Sequence, residues 1–134
     1  MPSIKKINHV AVVVDDMEKA LSFWRDALGM ELYELRDMPA EKSQVAFLPL
    51  EGSEVELVVP TSDDSGIAKY LTKRGPGMHH ICLEVDDILG MLTQLRAKGV
   101  RLINEEPRIG ADGKKYAFIH PENTSGVLVE LYEL

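Results

Sequence analysis

Apolar and polar residues change their spacing along this chain in a way that separates strands from helices. Ile7-Asn8-His9-Val10-Ala11-Val12-Val13-Val14 is rich in β-branched residues and has no helix caps, so it predicts a strand. Asp15 and Asp16 follow, the residue type that caps helix N-termini. Met17, Ala20, Leu21, Trp24 and Leu28 then fall on one helical face, and Gly29 closes the pattern as a C-terminal cap does. Residues 30–35, 44–50 and 55–59 predict three further strands, with Glu51-Gly52-Ser53 as the turn between the last two.

The chain then repeats itself. His80-Ile81-Cys82-Leu83-Glu84-Val85-Asp86-Asp87 aligns without a gap with His9-Val10-Ala11-Val12-Val13-Val14-Asp15-Asp16. In the same register Met91, Leu92 and Leu95 align with Ala20, Leu21 and Trp24, and Gly99 stands one residue early of the place of Gly29. Ala117-Phe118 matches Ala46-Phe47. Val129-Glu130-Leu131 matches Val55-Glu56-Leu57 at a slightly larger offset, and the loop at 110–113 absorbs the difference. Two copies of one βαβββ module are therefore expected, giving an α+β fold. The expected organisation is one domain over residues 1–134, with module 1 at about 4–60, a linker at 61–77 and module 2 at about 78–134. A short helix is expected within residues 65–73 of the linker. A single module cannot close a core, whereas two curved sheets side by side form a mixed sheet with a cleft between them.

Four polar residues interrupt these apolar strands: His9, Glu56, His80 and Glu130. A charge in a half-buried strand is costly unless it is paired or bound to a metal. Taken singly, a strand histidine reads as a hydrogen-bonded structural residue and a strand glutamate as a solvent-facing one. The repeat makes them two matched pairs, which pseudo-twofold symmetry would bring to the module interface. It also selects His80 over His79, because neighbouring strand residues face opposite ways. Two imidazoles and two carboxylates suit Zn, Co, Mn, Ni or Fe in an open coordination sphere.

Composition narrows the function classes. Hydrophobic residues make up 45% and charged residues 28%, which places the chain among folded globular proteins. The net charge of -7 argues against nucleic acid as the main partner, because phosphate neutralisation needs a basic face. An anionic ligand could still meet a local basic patch, for which Arg108, Lys114 and Lys115 are candidates beside ordinary surface charge. Cys82 is the one cysteine, so no intrachain disulfide is expected. The N-terminus has no signal-peptide pattern and the apolar stretches are too short to span a bilayer, so a cytoplasmic setting with no membrane partner is expected.

Several stretches carry a resemblance. Ile7-Asn8-His9-Val10-Ala11-Val12 and Gly77-Met78-His79-His80-Ile81 resemble the vicinal oxygen chelate superfamily, also called the glyoxalase fold. Asp64-Ser65-Gly66-Ile67-Ala68-Lys69-Tyr70 and Glu106-Pro107-Arg108-Ile109-Gly110 are similar to the methylmalonyl-CoA epimerases within it, as are Phe118-Ile119-His120-Pro121 and Gly126-Val127-Leu128-Val129-Glu130-Leu131. Glu122 departs from the pattern, since relatives often carry lysine after His-Pro.

The resemblance implies one divalent metal ion, cobalt first with zinc, manganese or nickel as alternatives, held by His9, Glu56, His80 and Glu130. It also implies an acyl-CoA substrate and a homodimer, with the modules pairing within a chain or across the dimer. The implied reaction inverts C2 of methylmalonyl-CoA by proton removal and return on opposite faces. Glu130 and Glu41 are the implied acid–base pair, although Glu41 lies outside the repeat and reads equally as a solvated loop carboxylate. Trp24, Phe47 and Phe118 are expected in the core. Competing readings are a lactoylglutathione lyase-like isomerase, a ring-cleaving dioxygenase and a metal-free small-molecule binding protein of the same fold.

Overall fold

The computed structural model describes all 134 residues. The first β-branched run extends into strand β1, Ile4–Val13. Asp16 accepts the Lys19 N–H at 3.1 Å and so caps helix α1, Met17–Leu21, which continues as a π-helical turn over Ser22–Ala27. Gly29 follows at φ 83°, a left-handed conformation that glycine adopts without steric cost. Strand β2 (Glu34–Met38) leads through a 3-10 turn at Pro39–Glu41 into β3 (Ser43–Leu50) and β4 (Ser53–Pro60). Helix α2, Gly66–Arg74, is capped by Ser65, whose hydroxyl accepts the Ala68 N–H at 3.0 Å.

The second copy begins with β5 (Gly77–Val85) and helix α3 (Ile88–Ala97). Asp87 accepts the Gly90 N–H at 3.0 Å and Glu133 accepts the Ile88 N–H at 2.9 Å, so two carboxylates satisfy the first turn of α3. A two-stranded hairpin follows, β6 (Arg108–Ile109) and β7 (Lys115–Ile119), and β8 (Leu128–Glu133) ends the module. The element order is thus βαβββ twice, with α2 between the copies, and the sheet is mixed.

One predicted strand is displaced. The strand expected at 30–35 starts at Glu34 instead. Met30 and Leu32 owe their apolar character to packing against the α1 cluster rather than to a strand face.

The chain divides into two compact units, one of residues 10–79 and one of residues 1–9 with 80–134. The first nine residues are therefore grouped with the second copy. In the unit of 10–79 the strand order is β2-β3-β4-β1, with β1 and β4 parallel and the other pairs antiparallel. Helix α1 covers one face, burying Met17 and Leu21 against Ala46, Leu48 and Leu57. On the other face Ala11, Val45 and Val58 form a smaller cluster with Met38, Phe47 and Ile67.

In the unit of 1–9 with 80–134 the order continues from β1 through β5, β8 and β7 to β6. Helix α3 packs Ile88, Met91 and Leu92 over Val85, Ala117, Ile119 and Leu131. The N-terminal segment is held at Asp86, which accepts the Ser3 N–H at 2.8 Å and the Ser3 hydroxyl at 2.9 Å.

The two parallel pairs share one register. Val10 faces Val55 and Ala11 faces Glu56. Ile81 faces Val129 and Cys82 faces Glu130. Across the antiparallel partners, Phe47 faces Glu56 and Phe118 faces Glu130. The alignments of His80 with His9 and of Glu130 with Glu56 are thus structural equivalences as well as sequence ones.

Leu131 is 2% exposed and lies at the centre of the α3 core. Leu131→Ala is expected to cost about 2–5 kcal/mol of unfolding free energy, read as a lowered midpoint in urea. Leu35→Ala on the exposed face of β2 is expected to change it by no more than about 0.5 kcal/mol.

Candidate functional site

Strand alternation sorts β5, β7 and β8 into two faces. Leu83 and Val85, Ala117 and Ile119, and Val129 and Leu131 point into the α3 core. His80, Cys82 and Glu84, Tyr116 and Phe118, and Glu130 and Tyr132 occupy the opposite face. The residues that interrupt the apolar pattern of β5 and β8 on this face are therefore collected by the pleat itself.

Three of the sequence-selected residues converge there. His80 Nε2 lies 3.1 Å from Glu130 Oε1, His9 Nε2 lies 3.5 Å from the same oxygen, and the two Nε2 atoms are 3.2 Å apart. All three side chains are only 11–13% exposed. Burial by itself would raise the Glu130 carboxyl, but the hydrogen bond from His80, with the adjacent His9 ring, outweighs it and holds the group down at about 2. Glu130 is thus a largely buried carboxylate that stays ionised across the physiological range.

The donor atoms test the metal expectation directly. A metal with ligand bonds of about 2.0–2.1 Å and angles between 90° and tetrahedral needs donor atoms about 2.9–3.4 Å apart. Two of the separations, 3.1 and 3.2 Å, fall within that range, and the third, His9 to Glu130 at 3.5 Å, lies just beyond it. Two imidazole nitrogens and a carboxylate oxygen at these distances also need a proton or a cation between them to offset lone-pair repulsion. His9, His80 and Glu130 fit a divalent cation by chemistry and by spacing.

Glu56 belongs to the other unit, on β4, where it stands opposite Ala11 as Glu130 stands opposite Cys82. Glu41 ends the 3-10 turn at Pro39–Glu41 and lines an open cavity of about 560 Å³ with Lys42, Asp64, Ile67, Tyr70 and His79. Lys42 Nζ is 2.7 Å from Asp64, so this rim carries a fixed ion pair. His79 stacks edge-on against Tyr70 at 4.7 Å, which separates its surroundings from those of His80.

Three residues on or beside the site went unread in the sequence. Cys82 is fully buried, and its sulfur lies within 4.8 Å of donor atoms of His9 and Glu130. Its position two residues after His80 on one strand was the available signal. Phe118, expected in the core, instead meets the His80 ring edge-on at 5.6 Å. It faces Glu130 across the ladder while its neighbours Ala117 and Ile119 fill the core, so strand parity and not residue type decides its side. Trp24 and Phe47 do pack against core clusters, and Phe47 also lies under the Arg36 guanidinium at 4.6 Å. Asn8 hydrogen-bonds His9 Nδ1 at 2.7 Å.

The loop after β6 is tied to the same face. The Tyr132 hydroxyl donates to Asp112, and burial together with that bond pushes the phenol above its ordinary range. The Asp112 carboxyl is lowered by the same bond. Glu122 pairs with Arg101 at 3.1 Å.

Comparison with known proteins agrees with this architecture. Residues 8–118 match the glyoxalase/bleomycin resistance protein/dioxygenase superfamily. The mitochondrial methylmalonyl-CoA epimerase of Mus musculus is 44% identical over 94% of this chain and 71% of its own length. An ethylmalonyl-CoA/methylmalonyl-CoA epimerase of Cereibacter sphaeroides is 41% identical over 98% of this chain and 99% of its own. A variant of the Streptomyces coelicolor methylmalonyl-CoA epimerase, solved in complex with 2-nitronate-propionyl-CoA, superposes with a TM-score of 0.84 at 32% identity, covering 98% of this chain and 95% of that one. This chain belongs to the glyoxalase/bleomycin resistance protein/dioxygenase superfamily and, within it, to the methylmalonyl-CoA epimerase family.

Proposed function

We propose that the chain epimerises methylmalonyl-CoA at C2, using a divalent cation held by His9, His80, Glu130 and Glu56. The observation that carries the reading is the convergence of His9, His80 and Glu130 at metal-ligand spacing, in a chain that matches epimerases over nearly its whole length. For Glu56 the support is its register, which repeats that of Glu130. Cobalt is the cation proposed first, with zinc, manganese and nickel as alternatives, and the active species is proposed to be a homodimer.

When bound, the cation supplies Lewis-acid stabilisation of the negative charge that develops as C2 loses its proton. The chain's own residues do the rest. C2 inversion needs one group to take the proton from one face and another to return a proton to the opposite face. Glu130 is held ionised, as a proton acceptor must be, and it sits on the face that carries the two histidines. Glu41 is the proposed second carrier, placed on a turn that lines an open cavity. Glu41 starts protonated; after one inversion Glu130 has gained a proton and Glu41 has lost one, and proton exchange with water, or the reverse reaction, restores the starting state. Phe118 walls one side of His80 and limits the freedom of its ring.

The direct test is (2R)-methylmalonyl-CoA in deuterated buffer with added cobalt, following deuterium entry at C2 and inversion together. Both are expected, and the absence of both from cobalt-loaded protein would overturn the assignment. Glu41→Gln is expected to lower kcat about 10²–10⁴-fold while cobalt stays bound, as read by metal analysis. His80→Ala is expected to abolish cobalt binding and activity together, whereas His79→Ala spares cobalt binding.

The state of Glu130 also sets a pH dependence. Its folded-state value of about 2 lies below the ordinary 4.5, so the stability it contributes is fully present above pH 4.5 and is lost as pH falls through 2. In metal-free protein, Glu130→Gln is expected to flatten that acid limb of the stability curve, by up to about 3 kcal/mol across it. Urea unfolding at stepped pH reads the difference.

A further inference from the structure

Glu84 is a buried carboxylate, 8% exposed, in the apolar strand β5, and neither the ligand set nor the acid–base pair uses it. Its Oε1 accepts a hydrogen bond from Asn8 Nδ2 at 3.1 Å. Asn8 Oδ1 in turn lies 2.7 Å from His9 Nδ1. Glu84, Asn8 and His9 thus form a line that ends where His9 Nε2 meets His80 and Glu130.

The line has a direction. A carboxylate accepts, so the amide nitrogen of Asn8 faces Glu84 and its carbonyl oxygen faces His9. A carbonyl oxygen also only accepts, so His9 must donate from Nδ1. A neutral imidazole that carries its proton on Nδ1 presents a lone pair at Nε2, the atom aimed at the donor cluster. With the amide turned the other way, Nδ1 would accept and Nε2 would carry the proton, which blocks ligation. The Glu84 contact sets which of these two arrangements holds.

The device belongs to one module only. In the register that aligns His80 with His9, His79 stands where Asn8 would recur, and Val13 stands where Glu84 would. The two histidines are therefore equivalent in place and different in support.

We infer that Asn8, oriented by Glu84, is a positioning residue that holds His9 in the Nδ1–H tautomer and thereby sets the affinity of the site for a divalent cation. This rests on the metal reading above. Outer partners of ligating histidines typically contribute about 10–100-fold in metal affinity.

The test uses the full chain stripped of metal. Cobalt and zinc are titrated calorimetrically, and the His9 ring tautomer is read by nitrogen-15 NMR of the metal-free protein. Asn8→Leu is expected to weaken metal binding by about 10–100-fold and to lose the Nδ1–H signature. Asn8→Asp alone sets a second carboxylate against Glu84 and is also expected to bind metal more weakly. Asn8→Asp combined with Glu84→Gln restores an acceptor toward His9 and a donor between the pair, so affinity and tautomer are expected to return. A purely structural role would not give that rescue, and thermal unfolding of each variant shows that it is folded. Wild-type affinity and an unchanged tautomer in Asn8→Leu would overturn the inference, as would failure of the double exchange to restore a loss seen with Asn8→Asp. A wild type that binds neither metal would instead overturn the metal reading, while the tautomer comparison would still decide the role of Asn8.

Discussion

A carboxylate enclosed by apolar strands persists in its charged form only where donors or positive charge compensate for lost water, and Glu130 meets that condition through His9 and His80. The arrangement of the unit of 1–9 with 80–134 follows from this demand. His9 has to lie on the strand beside β5, so the start of the chain packs with the second copy and is held there at Asp86. His80 and Glu130 have to share a face, which fixes the parallel register of β5 and β8. A shift of one residue in that register would turn Glu130 into the α3 core among Ile88, Leu92 and Leu131.

Much of this was legible because the repeat gives each strand a second witness. A lone histidine in a valine-rich strand has several explanations, whereas a histidine and a glutamate that each recur at the matching place of a second module have few, and the paired registers bear the equivalence out. The Asp16 cap was equally readable, and its repeat counterpart Asp87 acts in the same way, each accepting a backbone N–H in the first turn of its helix. The β2 edge was not, because Met30 and Leu32 are apolar for the sake of α1 and mimic a strand that begins only at Glu34.

The site's remaining parts escaped for the same reason that its main parts were found. Glu84 satisfies the test of a polar residue within an apolar strand, but its counterpart is Val13, so the repeat gave it no weight. Cys82 has Ala11 as its counterpart and was read only as the one cysteine, with no disulfide partner in the chain. Phe118 was placed by its chemistry when its parity in β7 was the deciding property. Symmetry finds what the two modules share, and specialisation lies in what they do not share. Glu41 remains outside both patterns, which is why its role depends on the kinetics of its variant rather than on its surroundings.

The grouping of His9 with residues 80–134 has a consequence for the order in which the molecule comes into being. His9 stands near the start of the sequence and Glu130 near its end. At about 5–20 residues per second, a ribosome needs on the order of ten seconds to pass from one to the other. Throughout that interval the early strand is made before the sheet it will join, and no nascent fragment that ends before β8 holds His9, His80 and Glu130 together. Any cation shared by these three residues would therefore meet all of them together only after β8 has been made.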